Sequence, residues 1–212
     1  MTFNKEVYFD SSKFKDFTIT NSIFKEKSSF DNTTFGMVTL SQVIFEKPAF
    51  FDDINILQIE KCDRKSIRAI KEQLQKTDNR IDYNKFKAYE LDAYSRELNR
   101  KLWKDRFILW FNSISSNHGL NWYQGLKFTM TIAILFYLTY FISENYSKDF
   151  ELSGESLNYF LKGYFNFLIP SYKSPFEDGL TQWYQYFIFI LGKIFIAYGI
   201  YQTIVSFRKF RI

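Results

Sequence analysis

The chain has 212 residues, a formal net charge of +5, one cysteine and one histidine. This excludes an internal disulfide, and a Cys/His metal site or Cys–His nucleophile would have to be built from Cys62 and His118 alone. Aromatic residues make up 21% and charged residues 24%, a mixture that points to segregation, since the long apolar runs follow residue 122 and most of the charge precedes it.

Residues 1–10 lack an apolar core, so no cleavable signal peptide is read there. Over residues 3–56 large apolar side chains fall on a five-residue ladder. Phe9, Phe14, Ile19 and Phe24 form one run, and after one extra residue Phe30, Phe35, Leu40, Phe45 and Phe50 form a second. Helices repeat at three and four, and strands at two, so neither plain template fits. Two positions before most ladder residues stands a small or β-branched residue, as at Val7, Ser12, Ser22, Ser28, Thr33, Val38 and Val43. This pattern resembles the pentapeptide-repeat family. The resemblance implies a right-handed, four-sided β-helix with the nine ladder residues as its inner column, and the alternative is an irregular Phe-rich β-meander. So few pentads make little more than two coils, which would have to lean on the following helices or on a neighbouring subunit.

Residues 62–118 read as a charged helical hairpin. Asp63 or Ser66 caps a first helix carrying Ile67, Ile70 and Leu74, and Thr77-Asp78-Asn79 breaks it. A longer helix from near Asp82 carries Phe86, Tyr89, Ala93, Leu98 and Leu102 and runs on into the aromatic and basic stretch from Lys101 to Ile114. That stretch suits the headgroup region of a membrane. The order of parts, ending in Ser116-Asn117-His118-Gly119, is similar to the linker of bacterial membrane proteins that join pentapeptide repeats to a two-span, ion-channel-like pore-loop domain. Residues 1–122 carry 20 basic and 17 acidic side chains, too balanced a field to collect nucleic-acid phosphates.

Two spans are expected, Trp122–Ile142 and Trp183–Phe207, each with a Trp-Tyr pair at its start. Arg208, Lys209 and Arg211 follow the second span, while residues 144–182 carry three lysines against six acids. Positive charge stays inside, which places both termini in the cytoplasm of a cell with this chain in its inner membrane. Between the spans a short apolar run leads into the pore-loop candidates Phe167, Ile169, Pro170, Ser171, Tyr172 and Lys173. They lack the Gly-Tyr-Gly carbonyl ladder of a potassium filter. Lys193 lies mid-span and groups on a helical wheel with Tyr186, Ile190, Ala197 and Tyr201. This face lines a pore or subunit interface, or else Lys193 bonds to a first-span partner such as Tyr137 or Glu144.

The expected organisation is a mixed membrane protein: a short pentapeptide β-helix over residues 1–60, an amphipathic cytoplasmic helical hairpin over 61–121, and a two-span membrane domain over 122–212 with an intervening pore-loop-like segment. The leading functional expectation is an oligomeric, channel-like protein with a cytoplasmic assembly or gating module. The alternatives are a non-conducting anchor whose cytoplasmic module binds a protein partner, and a triggered membrane-perturbing effector. No phosphate-binding glycine loop, nucleophile motif or metal-ligand cluster is read, so neither an enzyme nor a cofactor is expected. The expected partners are the lipid bilayer, further copies of the chain and a cytoplasmic protein.

Overall fold

The computed structural model describes residues 1–145, 154–169 and 182–208. The chain divides into two compact units, the first ending at Ser113 and the second running over Ile114–Arg208.

In the first unit, seven strands come first: β1 (Thr2–Phe3), β2 (Val7–Tyr8), β3 (Lys13–Phe24), β4 (Ser28–Ser29), β5 (Thr34–Phe45), β6 (Ala49–Phe50) and β7 (Asn55–Ile56). They form two parallel sheets, one ordered β1-β3-β5-β7 and one ordered β2-β4-β6. The register is constant: Lys13 pairs with Thr34, Phe24 with Phe45, Val7 with Ser28 and Ser28 with Ala49, an offset of 21 residues throughout. Side chains 21 apart therefore stack. Phe3, Phe24 and Phe45 form one column with ring centroids 4.4 and 5.1 Å apart, and Phe9, Phe30 and Phe51 form another at 5.2 and 4.7 Å. The corners recur at the same interval, with left-handed backbone at Ser11, Asn32 and Asp53 and at Asn21 and Gln42. Asn and Asp tolerate that conformation better than most residues.

This topology corrects the sequence expectation. A four-sided pentapeptide coil needs a sheet along each of four sides, and the strands here form two sheets with no closed barrel or solenoid curl. The pentapeptide-repeat resemblance, the right-handed β-helix and the ion-channel-like label that travelled with it are set aside. The five-residue ladder is a by-product of the 21-residue repeat, which is four fives and one. The required slip after Phe24 recurs after Phe45, so Phe51, 1% exposed, is the core residue and Phe50 is only half-buried. Of the other ladder positions, Phe24, Phe30, Phe35, Leu40 and Phe45 are buried, whereas Phe9, Phe14 and Ile19 in the first layer are only half-buried.

Two helices close one end of the sheets: α1 (Arg64–Lys76) and α2 (Arg80–Glu97). Asp63 caps α1 by accepting from the Ser66 amide (2.7 Å), and Asn79 caps α2 by accepting from the Asp82 amide (3.1 Å). Ile67, Ile70 and Leu74 of α1 and Phe86 and Ala93 of α2 join the core, as the helical spacing predicts. The hairpin also caps the backbone. Val38 N–H donates to Cys62 Sγ, Leu40 N–H to Ser66 Oγ (2.7 Å), Ala49 N–H to Gln73 Oε1 (3.2 Å) and Asp53 N–H to Asp82 Oδ2 (3.0 Å). Each would otherwise be an orphan edge donor, costing about 1–3 kcal/mol when buried. An Asp column adds to this: Asp10 accepts from Asp31 N–H, Asp31 from Asp52 N–H, and Asp52 from Asn79 Nδ2. Across the hairpin, Glu90 accepts from Arg68 (2.7 Å) and Lys71 (2.5 Å).

The long second helix is not continuous. Leu98 adopts extended backbone and a short 3-10 turn (Arg100–Leu102) intervenes before α3 (Trp103–Ser116).

In the second unit, α4 (Trp122–Asn145) and α6 (Trp183–Arg208) form the main packed pair, with α5 (Gly154–Leu168) between them in sequence. At about 1.5 Å per residue, α4 and α6 are roughly 36 and 39 Å long. Both are long and apolar enough to cross a membrane. They approach closely through small residues: a Cβ built on Gly125 would lie 3.1 Å from Thr203 Cα, and one on Gly199 3.1 Å from Thr129 Cβ. Such crossings suit helices that cannot rely on water to drive them together. The hydroxyls there are satisfied inside their own helices, Thr129 donating to Gly125 O (2.8 Å) and Thr203 to Gly199 O (2.9 Å). An aromatic cluster of Tyr137, Tyr140, Phe167 and Phe189 fills the space among α4, α5 and α6.

Candidate functional site

The second unit holds the charged side chain that a membrane makes most costly. Lys193 sits mid-way along α6, half-buried. Its amine reaches the C-terminal end of α5 and donates to Phe167 O and Ile169 O, each at 2.6 Å, with Asn166 O at 3.5 Å. The last carbonyls of a helix have no partner within it and carry its partial negative charge. Lys193 supplies both the donor and the countercharge. The rings of Phe167 and Phe189 lie 5.0 and 5.2 Å from the ammonium and complete a cation–π seat. Gly192 makes room, since a Cβ there would meet Phe167 Cζ at 2.8 Å and Phe136 Cβ at 3.0 Å.

The other residues grouped with Lys193 do not share that seat. Tyr186, Ile190, Ala197 and Tyr201 are exposed on the outer surface of the unit. Of the first-span partners considered, Tyr137 instead donates to Phe160 O (2.8 Å), and the Glu144 side chain lies outside the described residues. Of the pore-loop candidates, Phe167 is fully buried at the α5 end and Ile169 is exposed. Pro170, Ser171, Tyr172 and Lys173 lie outside the described residues.

The chain matches no protein-family model, no curated protein and no solved structure.

Sequence reading missed the polar link from α3 and its turn to α6. Ser116 Oγ donates to Gln202 Oε1 (2.7 Å) and accepts from Gly119 N–H (3.0 Å), and Ser115 meets the Tyr198 hydroxyl at 3.4 Å. Asn117, His118 and Gly119 all have left-handed backbone, so this turn is tight. The serines and Gln202 are buried. The sequence signal was available, as Gln202 is a buried-type amide inside an apolar helix. Among the described residues no group of three or more His, Cys, Asp or Glu could hold a metal.

The outer surface of the pair is apolar. Only 33% of the most apolar stretch of α4 and 28% of that of α6 is buried within the chain. Leu126, Ile134, Leu138, Phe187, Ile194 and Phe207 are among the large side chains left outside. The core helix of a water-soluble protein would bury most of such a stretch; here the apolar surface needs a non-aqueous neighbour. On the first unit, α3 is exposed along most of its length, with Trp103, Phe107, Ile108 and Trp110 beside Lys101, Lys104 and Arg106.

Proposed function

We propose that this protein is a non-catalytic membrane anchor. In this reading α4 and α6 cross the bilayer, both termini lie on the cytoplasmic side, and the anchor presents the N-terminal β-sheets and helical hairpin to a protein partner. The observation that carries the reading is the largely exposed apolar surface of two close-packed helices of membrane-spanning length. The charge asymmetry of the flanking segments sets the direction. The anchor reading is favoured over a conducting one because the amine of Lys193, which a pore would leave in water, is spent on the Phe167 and Ile169 carbonyls at the end of α5.

The two ends of the sheets differ in a way that suits partner binding. Side chains of α1 and α2 seal one end. At the other, β3 is covered by β1 only at Ile23 and Phe24, and Phe3, Val7, Phe9, Phe14, Phe17 and Ile19 stay half-exposed. An uncovered strand edge of this kind accepts an added strand.

Carbonate extraction tests the anchor. The full chain should remain in the membrane fraction and leave it only with detergent, and release at alkaline pH refutes the reading. Direction is tested in a Cys62→Ser background with single cysteines at Lys5 or Glu155. An impermeant maleimide applied from outside should label the Glu155→Cys protein and spare Lys5→Cys. The reverse pattern overturns the orientation.

A further inference from the structure

The second unit carries a groove of about 570 Å³ where the start of α4 meets the chain just before it. It is lined by the apolar side chains of Ile114, Phe128 and Ile132 and by the polar ones of Asn121, Gln124 and Lys127. The polar lining is held in place. Asn121 Oδ1 accepts from the Gln124 amide (3.1 Å), and Gln124 Nε2 donates to Ile114 O (2.9 Å). Lys127 is exposed and has no acidic partner among the described residues, its ammonium resting 5.6 Å from the Tyr123 ring. Trp122 and Tyr123 stand beside it, the residue types that settle at the level of lipid headgroups.

An exposed cation beside an apolar trough suits an amphiphile with an anionic head. The geometry points to a binding site for an anionic phospholipid, its phosphate on Lys127 and an acyl chain along Phe128, Thr131 and Ile132. This inference rests on the anchor reading and adds a lipid class to it. Chemistry selects that class. A zwitterionic lipid also brings a phosphate, but its own ammonium competes for it, whereas phosphatidylglycerol leaves a net negative charge for Lys127. A free inorganic phosphate would use Lys127 and ignore the trough.

The test is native mass spectrometry of the detergent-extracted full chain titrated with phosphatidylglycerol or phosphatidylcholine. Wild type should bind phosphatidylglycerol more tightly, by about fivefold, the value of one lysine near an anionic headgroup. Lys127→Gln should abolish that preference. Thr131→Trp, an exposed position whose indole would fill the trough, should weaken both lipids. Millimolar inorganic phosphate should not displace the lipid, and displacement would show a plain anion site and overturn the inference. So would equal affinity for the two lipids in wild type, or an unchanged preference in Lys127→Gln. Carbonate extraction of the same variants separates the two claims. A chain that stays in the membrane without lipid preference refutes only the lipid site, and a chain that washes off refutes the anchor.

Discussion

The approach of α4 and α6 at Gly199 gives the sharpest test of the second unit. A methyl added there would sit 3.1 Å from Thr129 Cβ and 3.2 Å from Thr129 Cα, with Thr129 Oγ1 closer still. Ordinary carbon–carbon contact needs about 3.5–4.0 Å, so Gly199→Ala forces the helices apart by several tenths of an ångström or bends one of them. Overpacking of this size costs about 1–3 kcal/mol. For a unit of this length that corresponds to a fall in melting temperature of about 5–15 °C, read as loss of the monodisperse detergent-extracted particle on heating. The clash has a named partner, so it has a named cure. Among the described residues the Thr129 hydroxyl bonds to its own helix at Gly125 O, and Thr129→Gly frees the space without orphaning a described group across the interface. Alone, Thr129→Gly should cost well under 1 kcal/mol of helix propensity plus its lost contacts. Combined with Gly199→Ala it should restore at least half of the loss, a coupling that distant sites do not show. A Gly199→Ala protein as stable as wild type, or two losses that simply add, would refute the close crossing.

Lys193→Met should keep the chain in carbonate-washed membranes but loosen α5, because the charge-assisted bonds to Phe167 O in its last turn and to Ile169 O just past its end disappear. Faster hydrogen exchange over Gly154–Leu168 is the expected readout, and unchanged exchange counts against the seat. At Glu90, burial pulls the carboxyl pKa upward, but the hydrogen bonds from Lys71 and Arg68 outweigh it and leave it below the usual carboxylate range. A lowered folded value means that its stabilisation is present above the unfolded pKa of about 4.3 and is lost as pH falls through the folded value. Wild type should therefore lose more stability than Glu90→Gln when taken from pH 6 to pH 3. Burial raises the Cys62 thiol pKa, with the Val38 amide pulling weakly the other way. The thiol should resist maleimide at neutral pH until denaturant opens the α1–β5 contact, and rapid labelling of the native protein would contradict its 5% exposure. Gln73→Ala should strand the Ala49 amide and cost about 1–3 kcal/mol, checked by the urea midpoint of the first unit.

What the sequence by itself determined here is the material that physical chemistry sorts one residue at a time. Ile67, Ile70 and Leu74 fall at helical spacing, and Asp63 caps them whatever follows. The apolar runs after Trp122 and Trp183 are read from composition, because lipid contact depends on side chains rather than on topology. Tertiary structure decided the rest, through pairings between residues far apart in the chain. A ladder of fives and a repeat of 21 share the same early phenylalanines. Only strand pairing showed that the sheets number two and that Phe51, not Phe50, belongs in the column. The mid-span Lys193 was visible as a costly charge, yet its partners are backbone carbonyls of Phe167 and Ile169. No side-chain pattern marks a carbonyl as free, since its freedom comes from where a helix stops and which other helix passes its end.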